Sequence, residues 1–236
     1  MDVFRLEKVQ VIKSGKPVLE SLDWCVADGR TSTILGPSGS GKTSVLRLLN
    51  RLDDPASGRV LYKDKPISSW DVCALRREVG MVFQRPELFE GTVEANLRFG
   101  PALHDIHVDI GEVMSLVGLD AGMLEQDARS LSGGEAQKVS IGRAISVGPK
   151  VLLLDEPTSG LDPTACLQIE ELVKRLVKTL GLTCIFVTHY IEQAKRMGDA
   201  AILLISGRKV EEGPMSDFLD HPQDARTLKF IRGELK

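Results

Sequence analysis

The sequence predicts an α/β fold with a mixed central sheet, on three observations. The segment Gly36-Pro37-Ser38-Gly39-Ser40-Gly41-Lys42-Thr43 separates an apolar run, Ser32-Thr33-Ile34-Leu35, from the helical pattern of Val45, Leu46, Leu48, Leu49 and Leu52. That is strand, glycine loop and helix in order, the context of a P-loop, so the fold is that of a P-loop NTPase. Val151-Leu152-Leu153-Leu154 is wholly apolar and ends in Asp155-Glu156, and Thr183-Cys184-Ile185-Phe186-Val187-Thr188 is a second such run; both read as strands buried on two faces, as in a parallel sheet. Met1-Asp2-Val3-Phe4-Arg5-Leu6-Glu7 instead alternates polar and apolar residues, which predicts an antiparallel β subdomain at the N-terminus.

Taken in order, Val3 to Ile12 and Val18 to Leu22 form a hairpin turned by Lys13-Ser14-Gly15-Lys16-Pro17, and Asp28-Gly29 marks the next turn. The loop strand and its helix follow, broken at Asp53-Asp54-Pro55-Ala56-Ser57-Gly58. Gly58 to Tyr62 and Val79 to Phe83 are further strands, the second ending at Gln84-Arg85-Pro86. From Pro86 the texture changes to short helical patterns punctuated by Gly, Pro, His and Asp, read as a helical insertion. The expected division is a core of 1–85 and 149–236 and a helical subdomain of about 86–148. Within it His104 and His107, with Asp105 and Asp109, are either a metal site or an exposed turn before a helix. Ser132 caps a helix running through Ala136, Val139 and Ile145 to Gly148-Pro149, and Asp162-Pro163 starts another whose face is Ile169, Leu172, Val173, Leu176 and Leu180. Ala200 to Ile205 and Lys209-Val210-Glu211 close as a hairpin, and 224–235 is a terminal helix.

The chemistry follows from these positions. Glycines 36, 39 and 41 let backbone N–H groups wrap an anion, Lys42 adds a cation, and Thr43 a hydroxyl for magnesium. The following helix points its positive end at the same phosphates. The chain is therefore expected to bind a nucleoside triphosphate. Asp155 and Glu156 emerge at the carboxyl edge of their strand, where α/β sheets place ligand contacts; the first suits magnesium and the second an attacking water. Gln84 and His189 are delivered to such edges by their own strands. Leu131-Ser132-Gly133-Gly134-Glu135 makes a second glycine-rich helix start, either another anion cradle or an ordinary cap.

Composition narrows the partners. A formal net charge of −3 with interspersed signs, as in Arg76-Arg77-Glu78, argues against nucleic acid. The longest apolar run, Ala200 to Ile205, is far below the roughly 18 residues of a membrane span, and the N-terminus lacks the layout of a signal peptide. Any membrane element is thus expected from another polypeptide. Cys25, Cys73, Cys166 and Cys184 lack paired spacing and are expected to be buried or inert thiols in a reducing compartment.

The ordered set GPSGSGKT, Gln84, LSGGE, VLLLDEP, SGLD and Thr188-His189 resembles the nucleotide-binding subunit of ATP-binding cassette (ABC) transporters across essentially the whole chain. The resemblance implies that Gly36 to Lys42, Ser44 and the loop amides grip the phosphates of ATP, and that Thr43, Gln84 and Asp155 address Mg2+. It implies Glu156 as general base and His189 as the contact to the γ-phosphate. Leu131, Ser132, Gly133, Gly134 and Glu135 would reach the ATP held by a second copy of the chain, with Asp162 at the same interface. The implied protein is an ATPase in an ATP-dependent homodimer, peripheral on the cytoplasmic face of a membrane and docked to a permease through the Gln84 to Gly100 region and the helical insertion. Phosphate importers and small metal-ion transporters are the nearest types. The alternative is a soluble ATPase of the same kind acting on a protein scaffold, as in iron–sulfur assembly. One position departs: where the family usually stacks adenine on an aromatic ring, this chain has Ile12, which implies looser ATP binding by roughly 1 kcal/mol.

Overall fold

The computed structural model describes residues 1–235. Strands β1 (Asp2–Lys13) and β2 (Lys16–Ala27) form the antiparallel hairpin, with Ile12 opposite Pro17. Ser14 and Gly15 take φ of 50° and 74°, consecutive left-handed residues of a tight hairpin turn whose twist suits the strands it joins. β2 continues past the expected Leu22 because the alternation does: Trp24 and Val26 are buried, Asp23 and Cys25 exposed. Then come β3 (Thr31–Leu35), α1 (Lys42–Leu49), β4 (Ser57–Tyr62), β5 (Lys65–Pro66), α2 (Val72–Glu78) and β6 (Val79–Val82). Helices α3 (Val93–Ala102), α4 (Ile110–Val117) and α5 (Gly133–Ile145) precede β7 (Val151–Asp155) and α6 (Pro163–Leu180). The chain ends with β8 (Thr183–Val187), α7 (Ile191–Met197), β9 (Ala200–Ile205), β10 (Arg208–Pro214), α8 (Met215–Asp220) and α9 (Ala225–Ile231). The short helices α2, α7 and α8 were not expected; none is long enough to repeat an apolar period twice.

Two compact units result. One comprises Met1–Arg76 and the chain from Thr183 onward. It holds an antiparallel sheet in the order β2-β1-β4-β5 and, in the order β10-β9-β3-β8, strands of a mixed sheet in which β3 runs parallel to both β8 and β9 while β10 is antiparallel to β9. Leu35, Ala201 and Leu203 pack there with Met215, Phe218 and Phe230, so α8 and α9 cover apolar strand residues. The other unit, Arg77–Leu182, pairs β6 with β7 in parallel from Val79↔Val151 to Val82↔Leu154. Its α5 lies tight against α3 and α4: a Cβ on Gly142 would fall 2.8 Å from Leu97 Cδ2 and 3.5 Å from the Val113 and Val117 methyls.

His104 and His107 lie between α3 and α4, and among the described residues no group of three or more His, Cys, Asp or Glu gathers as a metal site. Of the four thiols, Cys184 is buried and Cys166 half-buried, but Cys25 and Cys73 are exposed. Burial therefore accounts for only part of the set, since Cys25 sits on the outward phase of β2. Burial pushes the Cys184 thiol up to about 12, which makes that one inert.

Candidate active site

In the first unit the P-loop joins β3 to α1. Gly36, Gly39 and Gly41 have φ of 149°, 77° and 102°, and two of them answer to packing as much as to ligand. A Cβ on Gly36 would meet the Leu204 carbonyl oxygen at 2.1 Å, and one on Gly41 a Leu19 methyl at 2.7 Å and the Val18 carbonyl oxygen at 3.0 Å. The loop is thus held between β9 and β2, and the Gly207 N–H adds a hydrogen bond to the Ser40 carbonyl at 3.1 Å. Gly41 caps α1 and brings no side-chain oxygen to its first turn. Lys42 is 6% exposed and its Nζ donates to the carbonyls of Gly36, at 2.9 Å, and Pro37, at 2.8 Å. Such a cation curled inside a loop of left-handed glycines suits a polyanion. The buried Ser40 Oγ has no hydrogen-bond partner, an unsatisfied donor that an anionic ligand in the loop would also favour. Thr43 is exposed and Ser44 buried on the first turn of α1.

β8 lies beside β3 with Ile34 opposite Val187, and the Thr188 N–H donates to the Ile34 carbonyl at 3.2 Å. His189 follows directly on Thr188 at this end of β8. The Tyr190 N–H turns back onto Thr188 Oγ1 at 3.0 Å, and the His189 and Tyr190 rings lie 4.0 Å apart, both exposed.

In the second unit β6 and β7 pair as far as Val82↔Leu154, and Gln84 and Glu156 follow the ends of their strands. Gln84 Nε2 donates to Ser159 Oγ at 3.1 Å; Ser159 was missed in the sequence, where it reads as one more turn residue. Asp155 ends β7 and is 5% exposed. Glu156 has φ of 44°, a left-handed backbone that a residue with a Cβ adopts at a cost of about 1–2 kcal/mol and that concentrates at functional positions.

The two remaining motifs meet around one cavity of about 400 Å³, lined by Ser132, Gly133, Gly134, Glu135, Lys138 and residues 160–162 among others. Ser132 Oγ donates to Glu135 Oε2 at 2.6 Å and accepts the Glu135 N–H at 3.4 Å, while the Ser132 N–H donates to the same carboxylate at 2.9 Å. These bonds hold the Glu135 carboxyl below its ordinary value. Asp162 Oδ1 accepts from the N–H groups of Thr164, at 2.9 Å, and Ala165, at 3.0 Å, so it caps α6. A Cβ on Gly133 would fall 3.1 Å from Leu161 Cδ2, so the small residue there lets the start of α5 lie close to the 160–162 loop. Lys138, one turn into α5, was missed because a lone lysine on a helix carries no signal. Ile12 belongs to the first unit and is 49% exposed at the hairpin tip.

A parallel strand running into a glycine loop that encloses its own lysine defines a P-loop nucleotide-binding protein. The sequence matches the ABC transporter family over residues 19–159. Protein STAR1 of Oryza sativa subsp. japonica is 44% identical over 220 residues, 91% of this chain, which spans 64% of the rice protein's length. The phosphate import ATP-binding protein PstB 2 of Natronomonas pharaonis is 40% identical across 94% of this chain and 83% of its own. Among solved structures, cbiO1 from Clostridium perfringens, described as part of the ABC transporter complex cbiONQ, superposes with a TM-score of 0.83 at 27% identity, covering 99% of this chain and 96% of the other. The chain belongs to the ABC transporter family as an ATP-binding subunit that hydrolyses ATP.

Proposed function

We propose that two copies of this chain close around two ATP molecules with Mg2+ and drive a membrane permease from its cytoplasmic side. The observation that carries this reading is the cavity at the start of α5, where exposed Ser132 and Gly133 and the residues of the 160–162 loop leave open the N-terminal end of a 13-residue helix. A helix end of that kind attracts phosphate, and in this reading the phosphate is the one held on the partner copy's P-loop.

Within each copy Gly36 to Lys42, Ser44 and the loop amides bind the triphosphate, and Ile12 covers the base. Thr43, Gln84 and Asp155 would hold Mg2+, their hydroxyl, amide and carboxylate oxygens being the hard donors that ion takes; the ion supplies charge against the β and γ phosphates. Glu156 accepts a proton from the attacking water at its carboxylate, and Ser159 holds Gln84 in place through the bond described above. His189 contacts the γ-phosphate. Leu131 to Glu135 and Asp162 complete the other copy's site. Loss of the γ-phosphate removes what joined the copies, so they part. The cargo we assign is phosphate or a metal ion, phosphate being supported by the name of the Natronomonas relative.

The permease contact is placed on the segment after Gln84. Phe89 and Phe99 stack 4.1 Å apart and are both exposed, with the Arg143 guanidinium 4.7 Å above Phe89. Buried Asn96 fixes that loop by accepting the Phe89 N–H at 2.8 Å and donating to its carbonyl at 3.0 Å. No helix among the described residues is long and apolar enough to cross a membrane. The test is light scattering of Glu156→Gln with ATP: a mass of two chains and turnover down by about 10³-fold are expected. A monomer at high concentration, or brisk hydrolysis, would overturn the reading.

A further inference from the structure

The tip of the β1–β2 hairpin is held against the P-loop helix from two sides. On one, Pro17 pairs with Ile12 and is followed by Val18 and Leu19, the residues packed on Gly41. On the other, Lys13 Nζ lies 2.7 Å from Asp53 Oδ2. Asp53 is itself fastened to α1, since Arg47 donates to its carboxylate through Nε at 2.9 Å and Nη2 at 3.0 Å, and the Asp53 N–H donates to the Arg47 carbonyl at 3.0 Å. The Ala56 N–H donates to the Gln10 carbonyl at 2.8 Å, and Lys13 carries the attachment three residues further, on to the tip.

We propose that Lys13, Asp53 and Arg47 form a clamp that fixes the hairpin tip on α1, so that Ile12 meets the nucleotide base in a set position relative to the phosphates. The proposal rests on the reading of Ile12 as the base contact, and it makes Lys13 a positioning residue that acts through Ile12. An exposed lysine–carboxylate pair is usually worth little. This carboxylate differs in being only 19% exposed and gripped through two nitrogens of one guanidinium. The Arg47 hydrogen bonds, with help from Lys13, hold the Asp53 carboxyl down to about 2, so the clamp stays charged through the neutral range. An aliphatic side chain such as Ile12 offers the base no stacking geometry of its own, and its contribution then depends on where the backbone holds it.

The experiment is displacement of a fluorescent ATP analogue from the full chain by ATP and, separately, by inorganic tripolyphosphate, which has no base. Lys13→Met should weaken ATP about fivefold while leaving tripolyphosphate unchanged, and Lys13→Arg should restore ATP. Unchanged ATP affinity in Lys13→Met, or parallel losses for both competitors, would overturn the clamp. Ile12→Ala separates the two readings. If it weakens ATP selectively while Lys13→Met does nothing, the base contact stands and the clamp falls; if it leaves ATP affinity intact, the base contact falls and the clamp with it.

Discussion

The starts of α1 and α5 are both glycine-rich helix ends that the ATPase would use, and they are built in opposite ways. α1 begins at a left-handed Gly41 without a side-chain cap, with Lys42 buried inside the loop and glycines jammed against β9 and β2. α5 begins at Ser132 in a reciprocal capping box with Glu135, on an open surface. The first is wedged by its neighbours and keeps its cation inside the loop at a helix end that favours anions. The second has satisfied its own orphan amide and depends on something outside its surface to give it a role. The dimer proposed above would use this asymmetry: one half is built within its own loop, and the other keeps its helix start capped while leaving it open to a partner.

The largest effect that would break the comparison is expected at Gly36. Gly36→Ala puts a methyl group on the Leu204 carbonyl oxygen and should destabilise the fold by about 3 kcal/mol, read as a drop in denaturant midpoint. Gly39→Ala, whose Cβ would meet nothing within 4 Å, should cost only the left-handed backbone, about 1 kcal/mol, with most of the ATP affinity kept. Equal losses at the two positions would mean that the loop is not wedged as described.

Ser132→Ala sharpens the other half. Loss of the cap should cost about 1 kcal/mol in thermal or chemical melts. The effect should also depend on pH. The Glu135 carboxyl is held below its ordinary value by its bonds to Ser132, so those bonds add stability above the ordinary value and lose it as the pH falls through the lower, folded one. Wild type and Ser132→Ala melts should therefore converge in acid; a difference constant from pH 7 to pH 3 would show that Glu135 plays no part in the cap.

Much of this architecture was readable because it is local. Ser132 with Glu135, and Asp162 with Pro163, are start signals whose partners lie within three residues, and apolar runs such as Val151 to Leu154 name buried strands by composition. The extension of β2 was also readable in principle, from the alternation of Asp23 to Val26 that continues beyond Leu22. Other features had no local signal. Gln84 to Ser159 is a bond across 75 positions, and the strain at Glu156 is invisible in residue type. Asp53 reads in sequence as a helix breaker, and only the folded chain turns it into an anchor for Lys13.

Side-chain periodicity, capping and glycine spacing act over a few residues, so the order of the strands and longer helices and the chemical inventory of the P-loop could be read from the chain, whereas the short α2, α7 and α8 could not. Folding alone supplied the reasons that Gly36 and Gly41 must be glycines, the bond from Gln84 to Ser159, and the cavity on which α5 opens. Those depend on backbone and side-chain atoms far apart in the chain meeting within about 3 Å, a distance that no local pattern encodes.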